Sequence, residues 1–333
     1  MEPVTYQKRA LGFLSRILAS GDLPGSLLFT GDPGLGKREA ALAFAMAANC
    51  QTPAGGPYLF GEHGPCGACP SCKKIRAQSH PDVLVVERSG AHVRIVQVRA
   101  LLETLAMRPH GSGTRVVILP EAQALNREAG NALLKVVEEP PERTLFILIA
   151  PEASRILPTL VSRSHEIRFF PVPEGDIARW IAENRPGTAP EAGRALAVLS
   201  RGSLVRAREL AESNGLARRD FLARELAALA RGGVRRAMML ADLVSRDKDQ
   251  AARDLEWIAL WLRDLLVRHY APERIVNADL AAEVERQAGA AGPERLLPHL
   301  AAVADCERDL AKNVNPRMAF EALFLQLAGM KNG

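Results

Sequence analysis

The chain has no hydrophobic run near the ~20 apolar residues of a membrane-spanning helix, and its mean hydropathy is −0.03. Its first residues, MEPVTYQKRALGF, lack the apolar core of a secretory signal. No internal repeat or low-complexity tract is evident. These absences exclude a membrane-spanning helical protein and a solenoid, and they give the cytoplasm as the expected location, with no membrane partner. Cysteine is scarce as well. Of five cysteines, four fall between positions 50 and 72 and Cys306 stands alone. In a reducing compartment, thiols clustered in this way point to metal rather than to disulfides.

The 333 residues are 47% hydrophobic. At about 100–200 residues per domain this gives two or three domains, each able to bury a core. A net charge of +5 and a pI near 9.1 favour an acidic partner such as nucleic acid, but only mildly.

A second kind of absence lies inside a motif. Residues 31–38 read GDPGLGKR. Gly31, Gly36 and Lys37 fit the phosphate-loop pattern G-x-x-x-x-G-K-[ST], with Gly34 between them. Position 38 is Arg38, where a Ser or Thr hydroxyl would hold Mg²⁺. An active site of this kind also takes an Asp at the end of a later strand as a metal ligand. The strand is RVVIL (115–119), and Pro120 fills the Asp position, with Glu121 next. Two metal contacts are therefore lost independently. The backbone nest and Lys37 need neither group, so a nucleotide bound without turnover stays open. GDPGLGK could also be a bare strand-to-helix turn.

Coarse periodicity places the motif. Residues 5–20 read as a helix, SLLFT (26–30) as a buried strand, and 38–48 as the helix after the loop. Strand, glycine loop and helix is the context in which loop N–H groups and a helix N-terminus form an anion site. A Gly/Pro-rich insertion follows at 51–65. Further strands are expected at 83–87, 115–119 and 144–150, with helices at 94–107 and 124–139, the latter ending at Pro140-Pro141. Alternation of this kind predicts a parallel sheet covered on both faces. PVPEGD near 171–176 is a linker, and from Asp176 onward only helical periodicity remains, broken at Gly202 and Gly232-Gly233.

Cys66, Cys69 and Cys72 have C-x-x-C-x-x-C spacing, and Cys50 lies upstream across the loop. Four thiolates close a tetrahedral shell, which is the chemistry of a structural rather than a catalytic zinc. His63 and His80 are nearby alternatives. The basic residues Lys73, Lys74 and Arg76 would suit a nucleic-acid-binding ribbon, or simply a solvated face. Cys306 reads as a core residue.

After the fourth strand comes RILPTLVSRSHEIRFF, where Pro158 opens a short helix expected to carry Ser162, Arg163 and Ser164. An arginine there could reach a neighbouring subunit's γ-phosphate and stabilise transferring charge. From spacing alone, a surface arginine in a salt bridge is the simpler account.

Taken together, these segments resemble the bacterial DNA polymerase III clamp-loader subunits of the AAA+ class. The resemblance rests on GDPGLGK (31–37), Cys50 with CGACPSC and HPD (80–82), RVVILPEAQALN (115–126), NALLKVVEEPPERTLFIL (131–148), ILPTLVSRS (156–164) and NVNPRMAFEALFLQL (313–327). The family holds an ATPase member, gamma/tau, and a non-hydrolysing partner. Against the ATPase pattern, Arg38 and Pro120 replace metal ligands. Ile149-Ala150 replaces a polar sensor. Val205 stands where a sensor arginine is expected, with Arg206 adjacent. Ser162-Arg163-Ser164 keeps its arginine. A chain that keeps the arginine it lends and loses the site it would own resembles the non-hydrolysing type.

The resemblance implies an α/β fold. An AAA+ P-loop domain over 1–171 would carry a zinc-binding insertion at about 50–75, followed by a helical lid (172–212) and an all-α collar (213–333). It implies structural Zn²⁺ on Cys50, Cys66, Cys69 and Cys72. It implies a degenerate ATP/ADP loop at Gly31, Gly34, Gly36 and Lys37, and Arg163 acting in trans. The partners implied are gamma/tau and delta, with the sliding clamp and primed DNA engaged through the complex. The chain would be part of the polymerase holoenzyme with no ATPase activity of its own. Two other readings are a catalytically active gamma-like ATPase, with metal held through Glu121, and a zinc-dependent nucleic-acid-binding module.

Overall fold

Three runs, β1 (Ser26–Thr30), β3 (Arg115–Leu119) and β4 (Thr144–Ile149), are buried at every residue. Runs of this type belong to a parallel sheet covered on both faces. The computed structural model of the chain, which describes residues 5–53, 64–111, 113–213 and 215–329, has that sheet. With β2 (Val83–Val85) and β5 (His165–Arg168) it has five strands in the order β2-β3-β4-β1-β5, and every pairing is parallel.

The period-2 alternation of strand side chains assigns them to two cores. Leu27, Phe29, Val116, Ile118, Leu145 and Ile147 face one cluster, which also takes residues of α1 (Lys8–Ser20), α2 (Lys37–Ala48) and α3 (Pro70–Arg76). Leu28, Val117, Leu119, Phe146 and Leu148 face the other. That cluster is completed by α4 (Ile95–Ala106), α5 (Arg127–Glu138) and α6 (Pro158–Val161).

Several boundaries differ from the sequence expectation. β2 ends at Val85 rather than at 87, although Val86 still donates its N–H to Ile118 across β3. α5 starts at Arg127 rather than 124, because the Asn126 side chain accepts from the Ala129 N–H and caps it. Residues 122–124 form a separate 3₁₀ turn. α6 closes at Val161, so Arg163 sits in the turn after it and not on the helix.

The chain divides into two compact units, Met1–Val172 with Gly202–Val205, and Pro173–Arg201 with Arg206–Gly333. Beyond β5 the secondary structure of the described residues is entirely helical: α7 (Glu174–Asn184), α8 (Pro190–Leu199), α9 (Leu204–Glu212), α10 (Gly215–Val244), α11 (Lys248–Val267), α12 (Ala281–Ala290), α13 (Pro293–Ala311) and α14 (Pro316–Leu327). The expected break at Gly232-Gly233 is present: Gly233 has φ 58° and ψ −158° inside α10. Trp257, Ile258, Trp261, Phe320 and Phe324 are buried in the helical unit. Its buried carboxylates are paired. Arg218 meets Asp254 with two nitrogens, and Asp264 accepts from the Asn277 backbone at 2.8 Å. Cys306 is buried, and burial pushes its thiol up to about 12, as befits a core residue. No described helix is long and apolar enough to cross a membrane.

Candidate functional site

The phosphate loop lies at the C-terminal end of β1, between β4 and β5. That is where ligands bind in open α/β sheets. Gly31 ends the strand at φ +132°, and its N–H donates to Pro151 at 2.9 Å. A Cβ on Gly31 would lie 2.4 Å from the Phe169 carbonyl oxygen, so only glycine fits. Gly36 sits at φ +84° directly before α2 and turns the chain into the helix. Gly31, Gly34, Gly36 and Lys37 are therefore gathered as the motif requires.

Two side chains of the protein bond carbonyl oxygens of the loop. The buried Lys37 ammonium donates to the carbonyls of Gly31 and Asp32, the latter at 2.6 Å. Burial draws its pKa down from 10.5 to about 8, against the pull of Asp32 and Glu39. Ser203 donates its hydroxyl to the Gly34 carbonyl at 2.7 Å, and a Cβ on Gly34 would lie 2.4 Å from that Oγ. The Ser203 contact carries no signal in the sequence, since 169 positions separate the partners.

The metal side fits magnesium poorly. The Arg38 guanidinium reaches away to Glu87 at 2.5 Å. Pro120 offers no side-chain oxygen. Glu121, the acid that follows it, is paired with Arg88 at 2.8 Å. Ile149 and Ala150 are buried at the end of β4. Val205 is half-buried, and the adjacent Arg206 is in an ion pair with Glu256. Arg38, Pro120, Ile149 and Ala150 offer no side-chain oxygen to a Mg²⁺ ion.

Arg163 is more than a third exposed. It is held by an ion pair to Glu138, at the C-terminal end of α5, and by bonds to the Thr159 carbonyl (3.0 Å) and the Ser162 hydroxyl (3.2 Å). The salt bridge suggested by spacing is present. The Ser164 hydroxyl meets Ser26 at 2.8 Å and donates to the Leu160 carbonyl, which fixes the turn carrying Arg163 against β1.

The sulfur atoms of Cys50, Cys66, Cys69 and Cys72 all lie within 4.8 Å of one another. The Cys72 and Cys50 sulfurs are 3.8 Å apart. A tetrahedral zinc with Zn–S near 2.3 Å has sulfur–sulfur edges of about 3.8 Å, so the four ligands fit the ion. Backbone N–H groups support them: Cys66 donates to the Cys50 sulfur, Cys69 to Cys66 and Cys72 to Cys69, at 3.3, 3.3 and 3.4 Å. The Thr52 hydroxyl and the N–H groups of Cys69 and Ala68 pull the Cys66 thiol down to about 5. Burial pushes Cys72 and Cys50 up. With four thiolates the shell closes, leaving no position for substrate.

His80 is not a fifth candidate. Its Nε2 is 3.1 Å from the Ser71 hydroxyl and its Nδ1 accepts from the Asp82 N–H. His63 lies outside the described residues. Cys69 starts α3, and Cys69, Cys72 and Ile75 pack into the same core as α2. The thiol cluster is thereby tied to the phosphate-loop helix.

A family model described as DNA polymerase III, delta subunit, matches residues 6–173, and its C-terminal counterpart matches 213–329. The DNA polymerase III subunit delta prime of Escherichia coli K12 is 30% identical over 306 residues, 91% of this chain and 88% of that protein. The Bacillus subtilis delta prime is 26% identical over 96% of each chain. Among solved structures, a DNA polymerase III gamma subunit-related protein from Thermotoga maritima superposes with a TM-score of 0.50 at 17% identity, over 97% of this chain and 99% of that one. That likeness supports the fold alone. The E. coli similarity runs through the altered phosphate loop and the helical half alike, and with the two family matches it places this chain among the delta prime subunits of DNA polymerase III, in the clamp-loader family of the AAA+ class.

Proposed function

We propose that this chain is a non-hydrolysing clamp-loader subunit that supplies Arg163 to the ATP site of an adjacent gamma/tau subunit. The observation that carries the reading is a difference in side-chain chemistry between two places on one domain. At the chain's own phosphate loop, Arg38 and Pro120 stand where side-chain oxygens would hold Mg²⁺. Arg163 is kept on a turn fixed to β1, and the ion pair to Glu138 that it would give up to reach a neighbour is open and solvent-facing. A guanidinium so placed can stabilise developing phosphate charge without belonging to the site it serves.

Residues 213–333 act as a collar that assembles with gamma/tau and delta, and 172–212 act as a lid. The sliding clamp and primed DNA are met through the complex, in the cytoplasm. Zn²⁺ on Cys50, Cys66, Cys69 and Cys72 has a structural role. ATP or ADP has no catalytic role at this chain's own loop.

Co-purification with gamma/tau and delta, followed by an ATPase assay, tests the reading. The chain alone is expected to show no turnover with MgATP. The complex is expected to lose turnover when Arg163 is replaced by Ala. Turnover by the chain alone that Lys37→Ala abolishes would establish the gamma-like ATPase reading instead. Tight, steeply salt-dependent DNA binding by the chain alone would favour the nucleic-acid module.

A further inference from the structure

The helical unit contains a cavity of about 640 Å³ that the clamp-loader reading does not use. Its walls come from α10 to α14. The floor is apolar, made by Leu226, Leu262, Leu265, Leu296 and Leu327. Four of these leucines, Leu262, Leu265, Leu296 and Leu327, are themselves buried, so the floor is close-packed from below.

The rim is basic. Arg224, Arg286 and Arg295 surround the mouth, with His299 half-buried one turn along α13 from Arg295. Glu283 is the single acid on the rim and is already paired with Arg286. Gln287 is also satisfied, donating to the Ala223 carbonyl and to Glu283 while accepting from the Trp261 indole N–H at 3.0 Å. Arg224 donates to the Asp220 backbone carbonyl. Neither Arg224 nor Arg295 is in an ion pair among the described residues, so the rim carries three guanidiniums against the one carboxylate of Glu283.

Small-molecule sites are concave, about 300–1,000 Å³, mostly apolar, with a few polar groups that orient the ligand, and they occur between helices of bundles. This cavity meets each condition. Arginine suits carboxylates because its planar fork can give two parallel hydrogen bonds.

We propose that this cavity binds an apolar carboxylate, a hydrocarbon body of about ten carbons seated among the leucines with its carboxylate at Arg295 and Arg224. His299 lies beside the same rim and reports occupancy. In the free protein its pKa is lowered by burial and by Arg295. A carboxylate bridging that rim adds a nearby negative charge and raises it.

The test uses the full, zinc-loaded chain with decanoate as probe, against decanol and decyltrimethylammonium of equal chain length. Calorimetry is expected to show saturable binding of one decanoate per chain. Both controls should bind at least about tenfold more weakly, as the loss of a charge-assisted contact implies. The His299 ring resonance is expected to titrate at higher pH once decanoate is present. Arg295→Ala with Arg224→Ala, both on the exposed rim, should cost about tenfold in affinity while the circular dichroism and melting temperature stay unchanged. Equal binding of decanol, an unmoved His299 titration, or affinity indifferent to the two substitutions overturns the proposal. So does the absence of saturable binding, and binding only of an acidic peptide would assign the cavity to a protein partner. None of these outcomes bears on the role of Arg163.

Discussion

The guanidinium of Arg163 is paired with the carboxylate of Glu138, the last residue of α5 and the first acid of the EEPP run. Both side chains are close to 40% exposed, 39% and 44%. A pair so open to water contributes little stability, about 0–1 kcal/mol. It does restrict where the guanidinium points, together with the bonds to Thr159 and Ser162.

The first prediction separates those two effects. Arg163→Ala should leave folding and assembly intact and lower ATP hydrolysis by the reconstituted complex. An arginine of this kind is worth roughly 10³-fold in other NTPases, and a ring with several sites should show a smaller drop. Glu138→Gln removes the ion pair and keeps Arg163. It should shift the melting temperature little and change turnover by less than about threefold. If Arg163→Ala leaves turnover unchanged, the in-trans role is lost.

The zinc prediction concerns protons. Metal ligands must be deprotonated, so binding expels whatever protons they still carry. At pH 7 the Cys66 thiol, drawn down to about 5, is already a thiolate, whereas Cys72, pushed up by burial, is not. Zinc binding should release at least about one proton per ion, read from calorimetry in buffers of different ionisation enthalpy. Affinity should rise with pH, and it should fall further below about pH 5, where Cys66 takes up its proton. Metal analysis should give about one zinc per chain, and Cys72→Ser should lower it. Binding that ignores pH would show that the thiols are not the ligands.

The sequence displays these features unevenly. Gly31, Gly36 and Lys37 are legible because a phosphate loop leaves a local pattern. The convergence of Cys66, Cys69 and Cys72 is legible because two-residue spacers force it. Uniformly apolar strands identify themselves, and so β1, β3 and β4 match their expected spans closely. The α5 start is misplaced because the apolar rhythm runs through the 3₁₀ turn at 122–124, while the actual cap is Asn126. The long-range partners of the loop region are invisible from sequence, because Arg38 meets Glu87 and Ser203 meets Gly34 across long separations. Nothing local in the chain encodes which acid an arginine will find.

A buried polar network supports β3, which ends at Leu119 just before Pro120. Asp82, of the HPD segment, accepts from the N–H groups of His110 and Gly111 at 3.0 and 3.1 Å and lies 3.7 Å from the Arg115 guanidinium. Arg115 is buried and donates to the carbonyls of Thr104, Leu105 and Met107, at the C-terminal end of α4. Removing one partner of a buried pair leaves the other charge uncompensated, at a cost of about 3–5 kcal/mol. Asp82→Ala should therefore lower stability toward urea by that order. Asp82→Asn, which keeps one acceptor, should cost less. Equal stability of all three proteins would show that the carboxylate is dispensable.

Lys37 supplies the last prediction, and its sign distinguishes an empty loop from one that holds an anion. Its folded pKa is near 8, against 10.5 for the free side chain. Below about pH 8 the ammonium is charged in both states, and the folded protein carries the full cost of burying it. Between about 8 and 10.5 the unfolded chain keeps its proton and the folded chain does not. The unfolded state then binds more protons, so stability rises with pH across that window. Lys37→Met removes the effect. The variant should gain on the wild type at pH 7, and the gap should narrow as pH rises through 8 and above. An anion seated in the loop would offset the desolvation, because its charge favours the ammonium and raises the pKa, so the slope flattens and changes sign only if the folded pKa passes 10.5. Urea titrations of both proteins between pH 7 and 10, with and without ADP, read the difference directly. A gap that is flat with pH would show that Lys37 is not desolvated by the loop. A slope flattened or reversed by ADP would show that nucleotide enters the loop, whether or not it is ever hydrolysed there.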